Sequence, residues 1–173
     1  MNIIYKIKKI MIGVVIINIK LAIASTKDKY ILENMFQLYL HEISLYFPMN
    51  FNSLNGKYIH GGLEKYFDAS ENQAYFIKEI NNIIGFILYV KSDNLNILQE
   101  IFILNNFKNQ GFGEIAAVKM FNNKKGEWII KSLPLSPGAE RFWKKSISNY
   151  TNGNYEIEHT GKYERAVFTF KNK

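Results

Sequence analysis

One segment of the sequence combines residue types that suit the binding of an anion. Residues 99–114 read QEIFILNNFKNQGFGE, an apolar strand that runs into a polar loop and the start of a helix. Main-chain N–H groups at a helix start have no partner inside the helix, and the helix dipole adds partial positive charge there. Gly111 and Gly113 would let the main chain approach a phosphate without a Cβ in the way, and Lys108 adds a cation to the loop. The segment therefore predicts a phosphate-binding turn.

Three kinds of phosphate site compete for this segment. A P-loop needs Gly-x4-Gly-Lys-Ser/Thr, which the segment lacks. A dinucleotide fold needs its first glycine at the strand end and an acidic residue near the end of the next strand. Here six residues separate Leu104 from Gly111, and the next predicted strand ends at Lys131 and Ser132. The third interpretation is an acyl-coenzyme A site.

Composition excludes several other classes of site. The chain of 173 residues has no cysteine, which excludes disulfide scaffolds, thiolate zinc sites, iron–sulfur clusters and cysteine nucleophiles. Its three histidines, His41, His60 and His159, are far apart, so we expect no multi-histidine metal site. The net charge of +7 comes from dispersed lysines, with arginine only at positions 141 and 165. We expect a weakly cationic, solvated surface rather than a nucleic-acid interface.

Apolar periodicity and turn residues predict a mixed α/β domain with an antiparallel centre. We expect a single domain over 19–173, with residues 1–18 as an extension to which we assign no role. The predicted strands lie at about 16–24, 74–80, 83–91, 95–104, 128–132, 155–159 and 165–170. The predicted helices lie at about 28–46, 63–67, 114–122 and 138–149.

The first 24 residues admit two interpretations. Three lysines precede an apolar run over 10–17, which resembles a secretory signal. Asn18 and Lys20 interrupt the apolar sequence, and the run is about half of what spans a bilayer. The β-branched residues favour a buried strand over 16–24 instead.

Two short motifs lie in the order and at the separation that one superfamily shows. Residues 108–113, KNQGFG, fit the pattern Arg/Gln-x-x-Gly-x-Gly/Ala, with Lys108 in the first position. Residues 136–145, SPGAERFWKK, have the form Asn-x-x-Ala-x-x-Phe-Tyr/Trp-x-Lys, with Ser136 in place of the asparagine. With these motifs and the order of its elements, the sequence resembles the GNAT superfamily of N-acetyltransferases, and within it a group of small bacterial acetyltransferases of unassigned substrate.

The resemblance implies a single GNAT-like α/β (α+β) domain, in which helices flank a mixed, mostly antiparallel, twisted sheet. Its fourth and fifth strands, here 101–104 and 128–132, would splay apart to admit acetyl-CoA. A bulge in the fourth strand would free an N–H to polarise the thioester carbonyl. No metal is implied. The cofactor-binding residues implied are Phe102, Ile103, Lys108, Asn109, Gln110, Gly111, Phe112, Gly113, Glu114, Ser136, Phe142 and Trp143.

The resemblance also implies catalytic roles. GNAT enzymes commonly place a general-base carboxylate where Glu100 lies, and Glu100 interrupts an apolar run, which argues against an ordinary core position. The alternative is a glutamate on a solvent-facing side of the sheet. Many GNAT enzymes use a tyrosine to protonate the leaving thiolate, but that position is Trp143, which cannot act as an acid. Tyr150 or water would have to serve.

In this superfamily the first two helical segments border the acceptor pocket. Their aromatic and acidic residues suit a cationic amine, although tyrosines at the edge of the core would explain the same pattern. The residues are Tyr39, His41, Glu42, Tyr46, Tyr58, His60 and Tyr66.

The function implied is transfer of an acetyl group from acetyl-CoA directly to a primary amine of a small molecule or protein. Trp143 and Ser136 keep a second hypothesis open, a catalytically inactive acyl-CoA-binding or regulatory module. We expect a cytoplasmic protein with no nucleic-acid or membrane partner. GNAT domains often form homodimers, so a homodimer is a further expectation.

Overall fold

A computed structural model describes residues 18–68 and 71–173 as one α/β domain. The strands in this part of the chain are β1 (Ile19–Ile23), β2 (Phe51–Asn52), β3 (Lys57–Tyr58), β4 (Asn72–Glu79), β5 (Asn82–Ser92), β6 (Leu95–Ile103), β7 (Gly126–Lys131), β8 (Glu156–Thr160) and β9 (Arg165–Asn172). The α-helices are α1 (Lys29–Ile43), α2 (Lys65–Asp68), α3 (Phe112–Asn123) and α4 (Pro137–Thr151).

Seven of these strands form one mixed sheet in the order β1-β4-β5-β6-β7-β9-β8. The pair β6 and β7 is parallel, and the other neighbouring pairs are antiparallel. A parallel pair needs a crossover, which α3 provides between β6 and β7. This crossover places the start of α3 beside the end of β6, in the segment where the phosphate-binding turn is predicted.

Helices cover both faces of the sheet and form two hydrophobic cores. Alternate residues of β5 enter different cores, because successive side chains of a strand point to opposite faces. Phe86 and Leu88 pack with α1 and α2, whereas Ile87 and Tyr89 pack with α3 and α4. This burial on both sides explains why β5 is a nearly continuous apolar run in the sequence.

The predicted order of strands and helices is confirmed, and most bounds differ from the prediction by a few residues. The hairpin of β2 and β3 is not predicted, because its asparagine-rich sequence carries only loop signals. The side chain of Gln37 on α1 holds the outer strand of this hairpin. It accepts from the Tyr58 N–H at 2.7 Å and donates to the Tyr58 carbonyl at 3.1 Å.

The predicted first strand is confirmed as β1. Residues 1–17 lie outside the described residues, so the interpretation of the segment before β1 as a secretory signal remains a prediction. The division of the chain at residue 18 is likewise a prediction.

Candidate active site

The strands β6 and β7 separate part-way along their length. They pair from Leu95 opposite Glu127 to Leu98 opposite Ile130, and β6 then continues to Ile103 with a partner only on its other side, β5. The N–H of Leu104 donates to Ile84 at the edge of β5, at 2.8 Å. Because main-chain groups of successive strand residues point to opposite sides, the N–H groups of Ile101 and Ile103 face the gap between β6 and β7.

A β-bulge lies where the two strands begin to separate. Leu88 of β5 is opposite Glu100, and the next residue, Tyr89, is opposite Leu98, so Gln99 has no partner residue. A bulge re-aims the side chains around it. It places Glu100 on the face of the sheet that α1 covers, whereas Leu98 packs with α3 and α4.

The turn at the start of α3 exposes main-chain donors. Gly111 is the N-cap, with a φ of +86°, and Asn109 also has a positive φ of +61°. A glycine N-cap has no side chain to accept a hydrogen bond, and no acceptor among the described residues binds the N–H of Phe112, Gly113 or Glu114. A Cβ at Gly111 would meet nothing within 4 Å. The turn therefore offers a group of oriented N–H donors with open space beside them, which suits a phosphate.

Helix α4 packs closely against this turn. A Cβ at Gly113 would lie 3.3 Å from the ring of Phe142, so a larger residue there would press on that ring. Phe142 contacts Trp143, with ring centroids 4.8 Å apart, and Trp143 is buried. Ser136 is the N-cap of α4 and accepts from the N–H of Ala139 at 3.4 Å. Of these predicted cofactor-binding residues, Phe142 borders the turn, Trp143 belongs to the core beside it, and Ser136 begins α4.

Two charged residues of the turn have partners within the protein. The Lys108 ammonium forms an ion pair with Glu42 of α1. Glu114 accepts from Asn149 at 2.9 Å and pairs with Lys145 at 3.1 Å, both on α4. Lys108, predicted as a cation for the phosphate, thus ties the loop to α1, and the main chain of the turn supplies the donors that remain.

Glu100 forms the centre of a second cluster, on the α1 side of the gap. Its carboxylate accepts a hydrogen bond from the Tyr39 hydroxyl. Burial raises the pKa of Glu100 to about 7, although the Tyr39 hydrogen bond and the charge of Arg165 oppose that shift. Burial and the charge of Glu100 also raise the pKa of Tyr39, and raise that of Tyr66 to about 12. A carboxylate with a pKa near neutrality can take a proton and release it again at physiological pH.

Comparison with solved structures reports the same fold in acetyltransferases. An acetyltransferase from Thermus thermophilus is 14% identical, with a TM-score of 0.68 over 90% of this chain and 97% of that one. An acetyltransferase of the GNAT family from Staphylococcus aureus is 14% identical, with a TM-score of 0.55 over 90% and 100%. A PaiA N-acetyltransferase from Thermoplasma acidophilum, in complex with coenzyme A, is 12% identical, with a TM-score of 0.56 over 90% and 99%. The chain has the GNAT N-acetyltransferase fold.

The chain matches no model of a protein family and no protein of curated function. The likeness is therefore one of architecture, and the predicted GNAT fold is confirmed with its seven-stranded sheet and its splayed central pair. The expected bulge is present at Gln99.

Tyr150, the predicted proton donor to the thiolate, lies away from Glu100. Tyr150 donates to Asn122 at 3.1 Å, accepts from Asn172 at 3.1 Å and packs in the core beneath α3 and α4. Asn122 is ten residues after Phe112, about 15 Å along the helix axis. The structure does not bring Tyr150 together with Glu100, which is on the other face of the sheet, and we assign no proton transfer to Tyr150.

The predicted acceptor-pocket residues divide into two groups. Tyr39 and Tyr66 are buried near Glu100, and Glu42 reaches the turn through Lys108. A second group joins the β2–β3 hairpin and the segment after it to the outer side of α1, where His41 contacts the Tyr58 hydroxyl at 3.0 Å and His60 pairs with Glu33 at 3.1 Å. His159 pairs with Glu140 at 3.3 Å, and Tyr46 is exposed.

Residues 18–68 and 71–173 carry neither a metal centre nor a membrane-spanning helix. No three His, Asp or Glu side chains there are grouped to hold a metal ion, and no helix there is both long and apolar enough to cross a bilayer.

The raised pKa of Glu100 predicts a pH dependence of stability. The folded-state pKa of about 7 lies above the ordinary value of 4.5, so folding favours the protonated carboxyl. The stability from this preference is present below pH 4.5 and is lost as the pH rises through 7. Between pH 5 and pH 8 we expect the wild type to lose about 1–3 kcal/mol of unfolding free energy relative to Glu100→Gln.

Urea unfolding of both proteins at the two pH values measures this difference. Tyr39→Phe, which removes the hydroxyl that stabilises the carboxylate, should enlarge the loss. A constant difference between wild type and Glu100→Gln across this range would show that Glu100 titrates at its ordinary pKa.

Proposed function

We propose that the protein is an N-acetyltransferase that transfers the acetyl group of acetyl-CoA directly to a primary amine. One observation carries the proposal: the gap between β6 and β7 connects the donor-rich turn at Gly111 with the titratable pair of Glu100 and Tyr39. A phosphate-binding turn alone would suit many ligands. A strand with free N–H groups that leads from that turn to a general base suits a long thioester substrate.

The residues along the gap fit acetyl-CoA by their chemistry. The N–H groups of residues 112–114 would hold the diphosphate. The N–H groups of Ile101 and Ile103 face the gap and would pair with amide carbonyls of the pantetheine arm. Acetyl-CoA supplies an activated acyl group as its thioester. Phe142 would pack against the arm from the α4 side, next to Gly113.

Glu100 would act as the general base. Near pH 7 it is about half ionised, so it can take one proton from an acceptor ammonium. The neutral amine nitrogen that results then attacks the thioester carbonyl carbon. The developing oxyanion needs a main-chain donor, and the bulge at Gln99, where the strand register shifts, would supply one. When the C–S bond breaks, the thiolate can leave without a protein acid, because a thiol has a pKa of about 8.5. The nitrogen loses its second proton to water as the amide forms, and water protonates the thiolate, which removes the need for a tyrosine at position 143.

A thiol-release assay tests the proposal. The purified protein is given acetyl-CoA and a panel of primary amines, namely polyamines, aminoglycosides, amino acids and amino-acid amides. We expect amine-dependent release of free thiol at one mole per mole of N-acetyl product, with product identity confirmed by mass spectrometry. No amine-dependent release across the panel, with acetyl-CoA binding intact by calorimetry, would favour the alternative of an inactive acyl-CoA-binding module.

That alternative rests on Trp143 and Ser136, the two departures from the family motif. The buried position of Trp143 gives it a packing role that does not depend on catalysis. The substrate scope (small molecule or protein), a cytoplasmic location and a homodimer remain predictions.

A further inference from the structure

Arg165 lies on the wall of the gap that faces Glu100. It is the first residue of β9, beside the end of β7, and its Nε donates to the carbonyl of Ser132 at 2.6 Å. Ala166 and Phe168, which alternate with it along β9, pack in the core under α3 and α4. The side chain of Arg165 is therefore on the opposite face of the sheet, the face that carries Glu100 and Tyr39.

A ring contact joins the segment after α1 to the turn between β8 and β9. Phe47, just after α1, packs edge-on against Tyr163 in the β8–β9 turn, with ring centroids 5.7 Å apart. The α1 segment and the β8–β9 hairpin thus meet across the splayed strands. We call the space under this contact, with Glu100 on one side and Arg165 on the other, the acceptor chamber. The Arg165 charge lowers the pKa of both Glu100 and Tyr39, which agrees with its position in the chamber.

The terminal N–H groups of the Arg165 guanidinium are available to a ligand. Its single hydrogen bond uses Nε, and no carboxylate among the described residues pairs with the terminal nitrogens. A guanidinium whose planar fork is open binds a carboxylate through two parallel hydrogen bonds, which a lysine cannot do. The composition points the same way, because only two of the 22 basic residues, Arg141 and Arg165, are arginine. Arginine is used here where a lysine-rich chain would otherwise place lysine.

We propose that Arg165 binds a carboxylate of the acceptor, and that the acceptor is a small molecule with both a primary amine and a carboxylate, an amino acid in the chemical sense. This inference rests on the proposed acetyl transfer and specifies its substrate class. The amine would lie toward Glu100 and the carboxylate toward Arg165, so the two walls of the chamber would orient the nucleophile. Arg165 is a specificity-determining residue in this arrangement and takes no part in proton transfer.

Matched acceptor pairs test the inference. Each L-amino acid is compared with its α-amide, which keeps the amine and the side chain but removes the negative charge, over acidic, basic, polar and apolar side chains. We expect the wild type to prefer the carboxylate member of at least one pair. Arg165→Gln should lower kcat/KM for that member about 10–100-fold, the effect of losing hydrogen bonds to a charged group, and leave the amide within about twofold. For the carboxylate member, the kcat/KM of Arg165→Lys should lie between those of the wild type and Arg165→Gln.

Arg141→Gln is the matched control, because Arg141 is the other arginine and is exposed on α4. It should not alter the preference. Equal losses on both members of every pair, with a lowered melting temperature, would show that Arg165 only holds Ser132, and would overturn the inference.

The remaining outcomes distinguish failure of this inference from failure of the proposed function. Acetylation of amines without carboxylate preference overturns the inference and leaves the proposed function standing. If coenzyme A binds but no pair is acetylated, binding of each member to the protein–coenzyme A complex is measured by calorimetry instead. If that binding does not depend on Arg165, the inference is overturned. Failure to bind acetyl-CoA overturns the proposed function and this inference together.

Discussion

Replacing Gly111 by aspartate is expected to weaken acetyl-CoA binding by at least about 100-fold. Two effects act at once. The φ of +86° is strained for a residue with a Cβ, at a cost of about 1–2 kcal/mol, and this strain favours a different turn. The carboxylate would also lie beside the free N–H groups of α3, where it competes with the diphosphate and repels it. Together they reach roughly 3 kcal/mol, which is about 100-fold in the dissociation constant.

The chain offers two controls for this substitution. Gly153, after α4, has a φ of +83° and nothing within 4 Å of a built Cβ, so Gly153→Asp adds the same strain and charge away from the turn. Gly111→Ala adds the strain without the charge, and its Cβ has open space. We expect calorimetry to show unchanged affinity for Gly153→Asp and a loss of about tenfold for Gly111→Ala. An unchanged affinity for Gly111→Asp would remove the turn as the diphosphate site.

The turn could be predicted from the sequence because its function is local. The polar loop, the two glycines and the helix start are contiguous, and the free N–H groups follow from helix geometry alone. The sequence predicts the helix start at residue 114, two residues late, because the glycines on either side of Phe112 are typical of a loop. The structure moves the N-cap to Gly111, and this makes the positive φ of that glycine the feature that aims the donors.

The chamber could not be predicted in the same way, because its contacts join distant parts of the chain. Tyr39 and Glu100 are 61 residues apart in sequence, and Lys108 and its partner Glu42 are 66 residues apart. Sequence patterns indicate these residues singly but offer no reason to pair them. Arg165 is not among the predicted site residues, although its rarity in a lysine-rich chain is the one available signal. Tyr150 is predicted from its closeness in sequence to the second motif, and its hydroxyl lies with Asn122 and Asn172 rather than with Glu100.

Replacing Glu100 by glutamine is expected to lower kcat/KM about 100–1,000-fold at pH 7, within the range for loss of a general base. Glutamine keeps the size of the side chain but cannot take a proton. The deficit should shrink above pH 9, because an increasing fraction of the acceptor amine is then already deprotonated. The rising limb of the wild-type pH profile near 7, set by ionisation of Glu100, should be absent from the variant.

Two further variants identify the base by the position of that limb. Tyr39→Phe removes the hydroxyl whose hydrogen bond lowers the pKa of Glu100, so the limb should move to higher pH while the rate at its plateau persists. Glu127→Gln changes an exposed carboxylate that pairs with Lys171, at the end of β7 that is paired with β6, and should leave the profile unchanged. A pH profile that is the same in wild type and Glu100→Gln would remove Glu100 as the base.

A measurement of stability distinguishes the loss of the general base in Glu100→Gln from misfolding of the variant. A base with a pKa of about 7 must be buried enough to resist ionisation, and an ionised carboxylate in that position destabilises the fold. Glu100→Gln should therefore be more resistant to urea than the wild type at pH 8, the condition in which the wild-type carboxylate is charged. A variant that is both more stable and less active cannot owe its low rate to unfolding. This combination is expected if the half-buried carboxylate is kept for its chemistry, since a neutral side chain of the same shape would be more stable there.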